Sequence, residues 1–121
     1  MEQNIFQNTL SLIEENFPNR RDPMILLMVC KPDDDRIKLC ARQGDGYTDC
    51  LYLSVYTNKK VAEILVEVKK ELSAIRIDQA SIDQWDAVAL WIDTDGEMQV
   101  TFDDDELLDH WTRPELLFPG L

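Results

Sequence analysis

Between Pro23 and Pro32 the chain reads Met24-Ile25-Leu26-Leu27-Met28-Val29-Cys30-Lys31, an almost unbroken apolar run. It falls far short of the roughly 20 apolar residues needed to cross a bilayer, and it is short enough for a buried strand. A strand of that kind needs neighbours on both edges, and the flanking sequence supplies them. Pro32-Asp33-Asp34-Asp35 is a turn by its chemistry. Residues 36–42 then alternate, with Ile37, Leu39 and Ala41 on one face and Arg36, Lys38, Cys40 and Arg42 on the other, as a half-buried strand does. The two runs predict a hairpin. Gly44-Asp45-Gly46 marks the next turn, and the aromatic and β-branched content of residues 50–56 (Leu51, Tyr52, Leu53, Val55, Tyr56) predicts a third strand.

Two helices frame these strands. Ile5, Phe6, Leu10, Ile13 and Phe17 recur near the helical period over residues 4–17, and Pro18 stops the run. Val61, Ile64, Leu65, Val68, Leu72 and Ile75 form a second stripe over residues 59–76, with Thr57 or Asn58 placed to cap it. Acids early in this segment and lysines late agree with the helix dipole.

The last segment is a hairpin whose register follows from its side chains. A two-residue Asp95-Gly96 loop sets Leu90 opposite Thr101 and mismatches the faces. A three-residue loop, Thr94-Asp95-Gly96 with Gly96 in the left-handed position, sets Ile92 opposite Met98, Leu90 opposite Val100 and Val88 opposite Phe102. Six apolar side chains then share a face, so the three-residue loop is the expected one. Ala89, Trp91, Gln99 and Thr101 fall on the opposite face. Asp103-Asp104-Asp105-Glu106 opens a short helix or turn with Leu107, Leu108 and Trp111, and Pro114 and Pro119 mark an irregular tail. The expected fold is α+β: an antiparallel sheet with two main helices packed on one face, in the order α-β-β-β-α-β-β plus a short C-terminal helical tail. At 121 residues, 1–121 is one domain, long enough to bury about two-thirds of its unfolded surface without disulfides or metal.

Charge carries the functional signal. Asp and Glu number 24 against 12 Lys and Arg, for a net of −12. Residues 1–77 hold 12 acids and 11 bases, whereas residues 78–121 hold 12 acids and only Arg113. Nearly the whole excess lies in the C-terminal third, as a solvated acidic face or as an electrostatic docking surface. Such a chain is repelled by phosphate backbones and anionic lipid, so the expected partner is a basic protein, with no direct nucleic-acid or membrane binding. Met1-Glu2-Gln3-Asn4 has no basic, apolar start of the signal-peptide kind, and Cys30, Cys40 and Cys50 fit reduced thiols, which together predict a cytoplasmic protein.

Catalytic patterns are sparse. His110 is the one histidine, no Ser or Cys has a base beside it in a familiar pattern, and Gly44-Asp45-Gly46 reads as a turn, not a phosphate loop. Asp93-Thr94-Asp95-Gly96-Glu97 resembles the opening of a calcium loop, but a loop of that type places Gly sixth and is flanked by helices. No metal, no cofactor and no enzymatic activity are expected. Trp91 has two readings: the tail Leu116-Leu117-Phe118 covers it, or it is an aromatic anchor at an interface ringed by acids. Trp111 is expected to tuck against the edge of the core.

The segment from Trp85 to Asp104 (Trp85-Asp86-Ala87-Val88-Ala89-Leu90-Trp91-Ile92-Asp93-Thr94-Asp95-Gly96-Glu97-Met98-Gln99-Val100-Thr101-Phe102-Asp103-Asp104) resembles the C-terminal hairpin of the YezG-like bacterial immunity proteins. That family shows a Trp, an apolar alternating strand, an Asp-Gly turn and a second strand ending in aromatic and acidic residues. The order of leading helix, antiparallel meander and long second helix is also similar. The resemblance implies an antitoxin that binds and neutralises the nuclease domain of a cognate secreted bacterial toxin. A nuclease groove presents Lys and Arg to phosphate, and clustered carboxylates occupy such a groove as a polyanion. On this reading the contact residues are Trp91, Asp93, Asp95, Glu97, Asp103, Asp104, Asp105 and Glu106. The alternative is an acidic adaptor or regulatory subunit that binds a non-nuclease basic protein.

Overall fold

The computed structural model describes residues 6–18, 21–53, 57–78, 85–102 and 104–121. Strand β1 (Met24–Lys31) occupies the middle of a five-stranded sheet. It pairs antiparallel with β2 (Asp34–Gln43) on one side and β4 (Ala87–Ile92) on the other, giving the order β3-β2-β1-β4-β5 with β3 (Gly46–Asp49) and β5 (Met98–Thr101) at the edges. Leu26 lies opposite both Leu39 and Leu90, so one row of leucines crosses three strands.

Helices α1 (Gln7–Asn16) and α2 (Asn58–Asp78) pack on the first face of this sheet. Their apolar stripes, Leu10 and Ile13 from α1 and Val61, Ile64, Val68 and Leu72 from α2, close over Met24, Leu26, Met28, Leu39, Leu90 and Ile92. Phe6, Trp85 and Phe102 form an aromatic corner at one margin of this core, with ring centroids 5.8–6.4 Å apart. Asp35 on β2 pairs with Lys69 on α2 at 2.7 Å and ties the layers together at the surface. The α+β class, the antiparallel sheet and the two main helices on one face are all as expected.

The second face is also a core. Ile25, Leu27, Val29, Cys40, Ala87, Ala89 and Trp91 are buried there beneath Leu107 and Phe118. The cover is α3 (Asp104–Asp109) followed by a 3-10 turn, Pro114–Leu117. The reason lies in β1, which is apolar at every position from Met24 to Val29 and therefore has to be shielded on both sides. Trp111 finishes the cover, lying half-buried beside the guanidinium of Arg36, which is 4.5 Å from the ring centre, while the Lys38 ammonium donates to its carbonyl oxygen.

Several boundaries differ from the sequence expectation. The first hairpin turns on Pro32 and Asp33 alone, and β2 begins at Asp34, whose carboxylate takes two hydrogen bonds from Arg36 at 2.7 and 2.9 Å. The next turn is Gly44-Asp45, where Gly44 adopts φ of 61°, and Gly46 already belongs to β3. The third strand is thus 46–49, not 50–56. Cys50–Tyr52 forms a 3-10 turn because the Asp49 carboxylate accepts from the Leu51 N–H at 3.0 Å, a local bond that competes with strand pairing. Residues 54–56 of the expected strand and residues 4–5 of the expected helix lie outside the described residues. The C-terminal hairpin has the three-residue loop: Ile92 pairs with Met98 and Leu90 with Val100, while the ladder ends at Thr101, before the expected pair of Val88 and Phe102.

Because both faces of β1 are cores, Leu26→Ala and Leu27→Ala are expected to destabilise to a similar degree, about 2–5 kcal/mol each. Urea unfolding of the two variants measures this. A sheet with one wet face would leave Leu27→Ala nearly neutral.

Candidate functional site: two acidic groups along the edge hairpin

The tip of the β4–β5 hairpin concentrates negative charge through its own turn chemistry. The Asp93 N–H donates to the Glu97 carbonyl at 2.8 Å and closes the loop. The Asp93 carboxylate accepts from the Thr94 N–H at 2.7 Å, and the Asp95 carboxylate accepts from the Glu97 N–H at 3.0 Å. Gly96 takes φ of 90°, which a side chain rarely adopts. As a result Asp93, Asp95 and Glu97 each place a carboxylate oxygen within 4.8 Å of the other two. A fourth acid joins them from far away in the chain: Glu14 of α1 puts Oε2 3.3 Å from where a Cβ on Gly96 would lie. Unit charges some 5 Å apart in water repel by about 0.8 kcal/mol per pair, so the tip is poised to gain from any cationic neighbour. Two of the three turn carboxylates are already engaged by backbone N–H groups, and the tip is exposed to half-buried.

The second acidic group stands on α3. Asp104 is its first residue, Asp105 and Glu106 are exposed, and the Glu106 carboxylate meets His110 Nε2 at 3.1 Å one turn later. Asp103 lies outside the described residues. The expected contact set therefore does not form one patch. Glu97 and Asp104 lie on either side of β5, whose four extended residues span about 13 Å. Residues close in sequence are held apart because the strand between them is extended.

Trp91 is corrected outright as an exposed anchor. It is only 6% exposed, lies among Ile25, Ala89 and Phe118 on the second face, and donates its indole N–H to the Tyr47 hydroxyl at 3.1 Å. The tail covers it, chiefly through Phe118, with Leu117 half-buried at the margin. The residues that the sequence did not bring forward are Glu14 and Tyr47. Glu14 sits on the polar side of α1 with no local sign that it reaches the hairpin, and Tyr47 falls between the expected turn at 44–46 and the expected strand at 50–56. Burial pushes the Tyr47 phenol above its ordinary range.

The thiols behave as core residues. No disulfide joins Cys30, Cys40 and Cys50, and burial pushes both Cys40 and Cys50 from 9.0 up to about 12. Protonated thiols are poor nucleophiles and poor metal ligands. Among the described residues no helix is long and apolar enough to cross a membrane. No protein-family model matches the chain, and no curated protein matches it.

Two outcomes are expected from these environments. Tyr47→Phe removes the one indole–phenol bond and costs about 1 kcal/mol, Trp91→Phe costs more because it also leaves a cavity in the second core, and the double variant costs less than the sum, as a double-mutant cycle in urea will measure. The buried thiols keep their protons in the folded state while the unfolded chain loses them from pH 9.0 upward. Their stabilisation is complete below that pH and is lost as pH rises toward about 12, so the melting temperature falls across this window and falls less steeply in Cys40→Ala/Cys50→Ala.

Proposed function

We propose that this chain is an immunity protein: a cytoplasmic antitoxin that captures the nuclease domain of a cognate secreted bacterial toxin and has no catalysis of its own. The observation that carries the reading is the lopsided charge, twelve acids against Arg113 alone in residues 78–121, with exposed members at both ends of a well-packed edge hairpin. The likeness of Trp85–Asp104 to the YezG-like hairpin supports the same reading.

The physical logic is one of capture. A nuclease is basic where it holds a phosphate backbone. Complementary fields raise association toward 10⁸–10⁹ M⁻¹s⁻¹ at low salt, which suits the removal of a lethal enzyme before it acts. Charge at this distance sets the rate of encounter and the choice of partner, whereas a slow release needs a desolvated contact. With Trp91 inside the molecule, that contact belongs to another part of the surface.

Reversing Asp95, Glu97, Asp105 and Glu106 to Lys together is expected to slow association with a cognate nuclease domain by about tenfold or more at low salt, with the difference shrinking as salt rises. Stopped-flow binding measures the rate, and survival of cells expressing the toxin measures protection. Unchanged association and full protection would remove the acidic groups from the interface. A basic partner that is bound but has no nuclease activity would favour the adaptor reading.

A further inference from the structure

The two acidic groups stand at the two ends of an edge strand that has room and bonding capacity beside it. The Asp93–Glu97 bond fixes the alternation of the ladder: Trp91 exchanges bonds with Gln99, and Ala89 with Thr101. Val100, between them, faces Leu90 without bonding it and turns its N–H and C=O outward, where no described residue meets them. Alongside, on the second face, runs a groove of about 390 Å³ where the polar side chains of Gln99 and Thr101 meet Leu117, Phe118, Pro119 and Leu121 of the tail. Leu121 is 44% exposed, a large apolar side chain left in water beside an unfinished strand.

An occupant of this place must satisfy three demands at once. It must be extended, to pair with the Val100 backbone. It must send alternate side chains into the groove, apolar toward Leu117 and Leu121 and able to bond Gln99 and Thr101. It must bear positive charge at both ends, because Asp95 and Glu97 stand at one end of β5 and Asp105 and Glu106 at the other. A second copy of this chain fails the last demand. Antiparallel pairing of two β5 strands would set the hairpin tip of one copy against the α3 acids of the other, between two molecules each carrying −12.

We propose that the outer edge of β5 docks an extended basic segment of the partner, which adds to the sheet as a further strand with its cationic ends between the two acidic groups. The inference rests on the basic-partner reading above and names the contact that reading lacked. Backbone pairing along the edge and burial of alternate side chains in the groove supply the desolvated contact. The acids select charge and set direction.

The test uses the full chain and a synthetic probe of about seven residues, long enough to run past both ends of the four-residue β5. The probe alternates valine and threonine and ends in lysine on both sides; a control carries N-methyl groups on alternate residues and cannot pair. Binding of the plain peptide is expected to slow amide exchange at Val100, and N-methylation is expected to weaken binding about tenfold or more. Val100→Pro should weaken it to a similar degree, since proline removes the outward N–H and leaves the bonds to β4 in place. A melting curve checks that variant, and the N-methylated peptide decides the matter if it does not fold. Equal affinity for both peptides, or exchange altered only in the groove between α1 and α2 near Leu12 and Ile64, overturns the edge assignment and leaves the basic-partner reading standing. Failure of every cationic peptide to bind at low salt overturns both. Dimers of the protein alone that protect Val100 would make a second copy the occupant and overturn the proposal.

Discussion

Everything in this molecule is arranged around a strand that cannot tolerate water on either side. Met24 to Val29 are fully buried, and each alternate residue belongs to a different core. One face is met by the long amphipathic helices, which any two-layer fold would provide. The other is met by a short helix and a tail that have few apolar residues to give: Leu107 and Phe118 are buried, with Leu108, Trp111 and Leu117 at the margin. Burying a leucine or phenylalanine is worth about 1.5–3 kcal/mol, so the C-terminal segment is held to the sheet by a handful of contacts on which half the sheet depends. That requirement fixes where the acids go. The polypeptide that shields the second face is also the most negative part of the chain, and Asp105, Glu106 and Asp109 face outward from it because the positions facing the sheet are taken by apolar residues.

The architecture was legible wherever a residue's role is decided by its immediate neighbours. β1 was found to the residue, and the register of the C-terminal hairpin followed from matching apolar faces across a three-residue loop. What the sequence concealed was decided at long range. The tail's burial of Trp91 joins residues 27 apart in the chain, and the approach of Glu14 to Gly96 joins residues farther apart still. Neither leaves a periodic mark. The misplaced third strand is a different case. Leu51, Tyr52 and Leu53 have strand-like side chains, but the Asp49 carboxylate bends the backbone first, and one local hydrogen bond outweighs a modest propensity.

The candidate site was legible as composition but not as geometry. A count of acids in residues 78–121 cannot tell a patch from a line. In the fold they divide, because β5 is extended and keeps its two ends apart, and the spacing of the two groups is set by the length of a strand. Two separated groups of charge ask for an elongated counterpart, whereas one compact group would suit a single cationic pocket.

The bond between Trp91 and Tyr47 has a mechanical side. These residues belong to β4 and β3, which lie three strand spacings apart with β2 and β1 between them, about 14 Å across the second face. Large side chains leaning toward each other over that width act as a crossbar bolted over a row of planks. Twist applied at the β3 rim is thereby passed to β4, the strand that carries the acidic hairpin, as well as through the ladders between them.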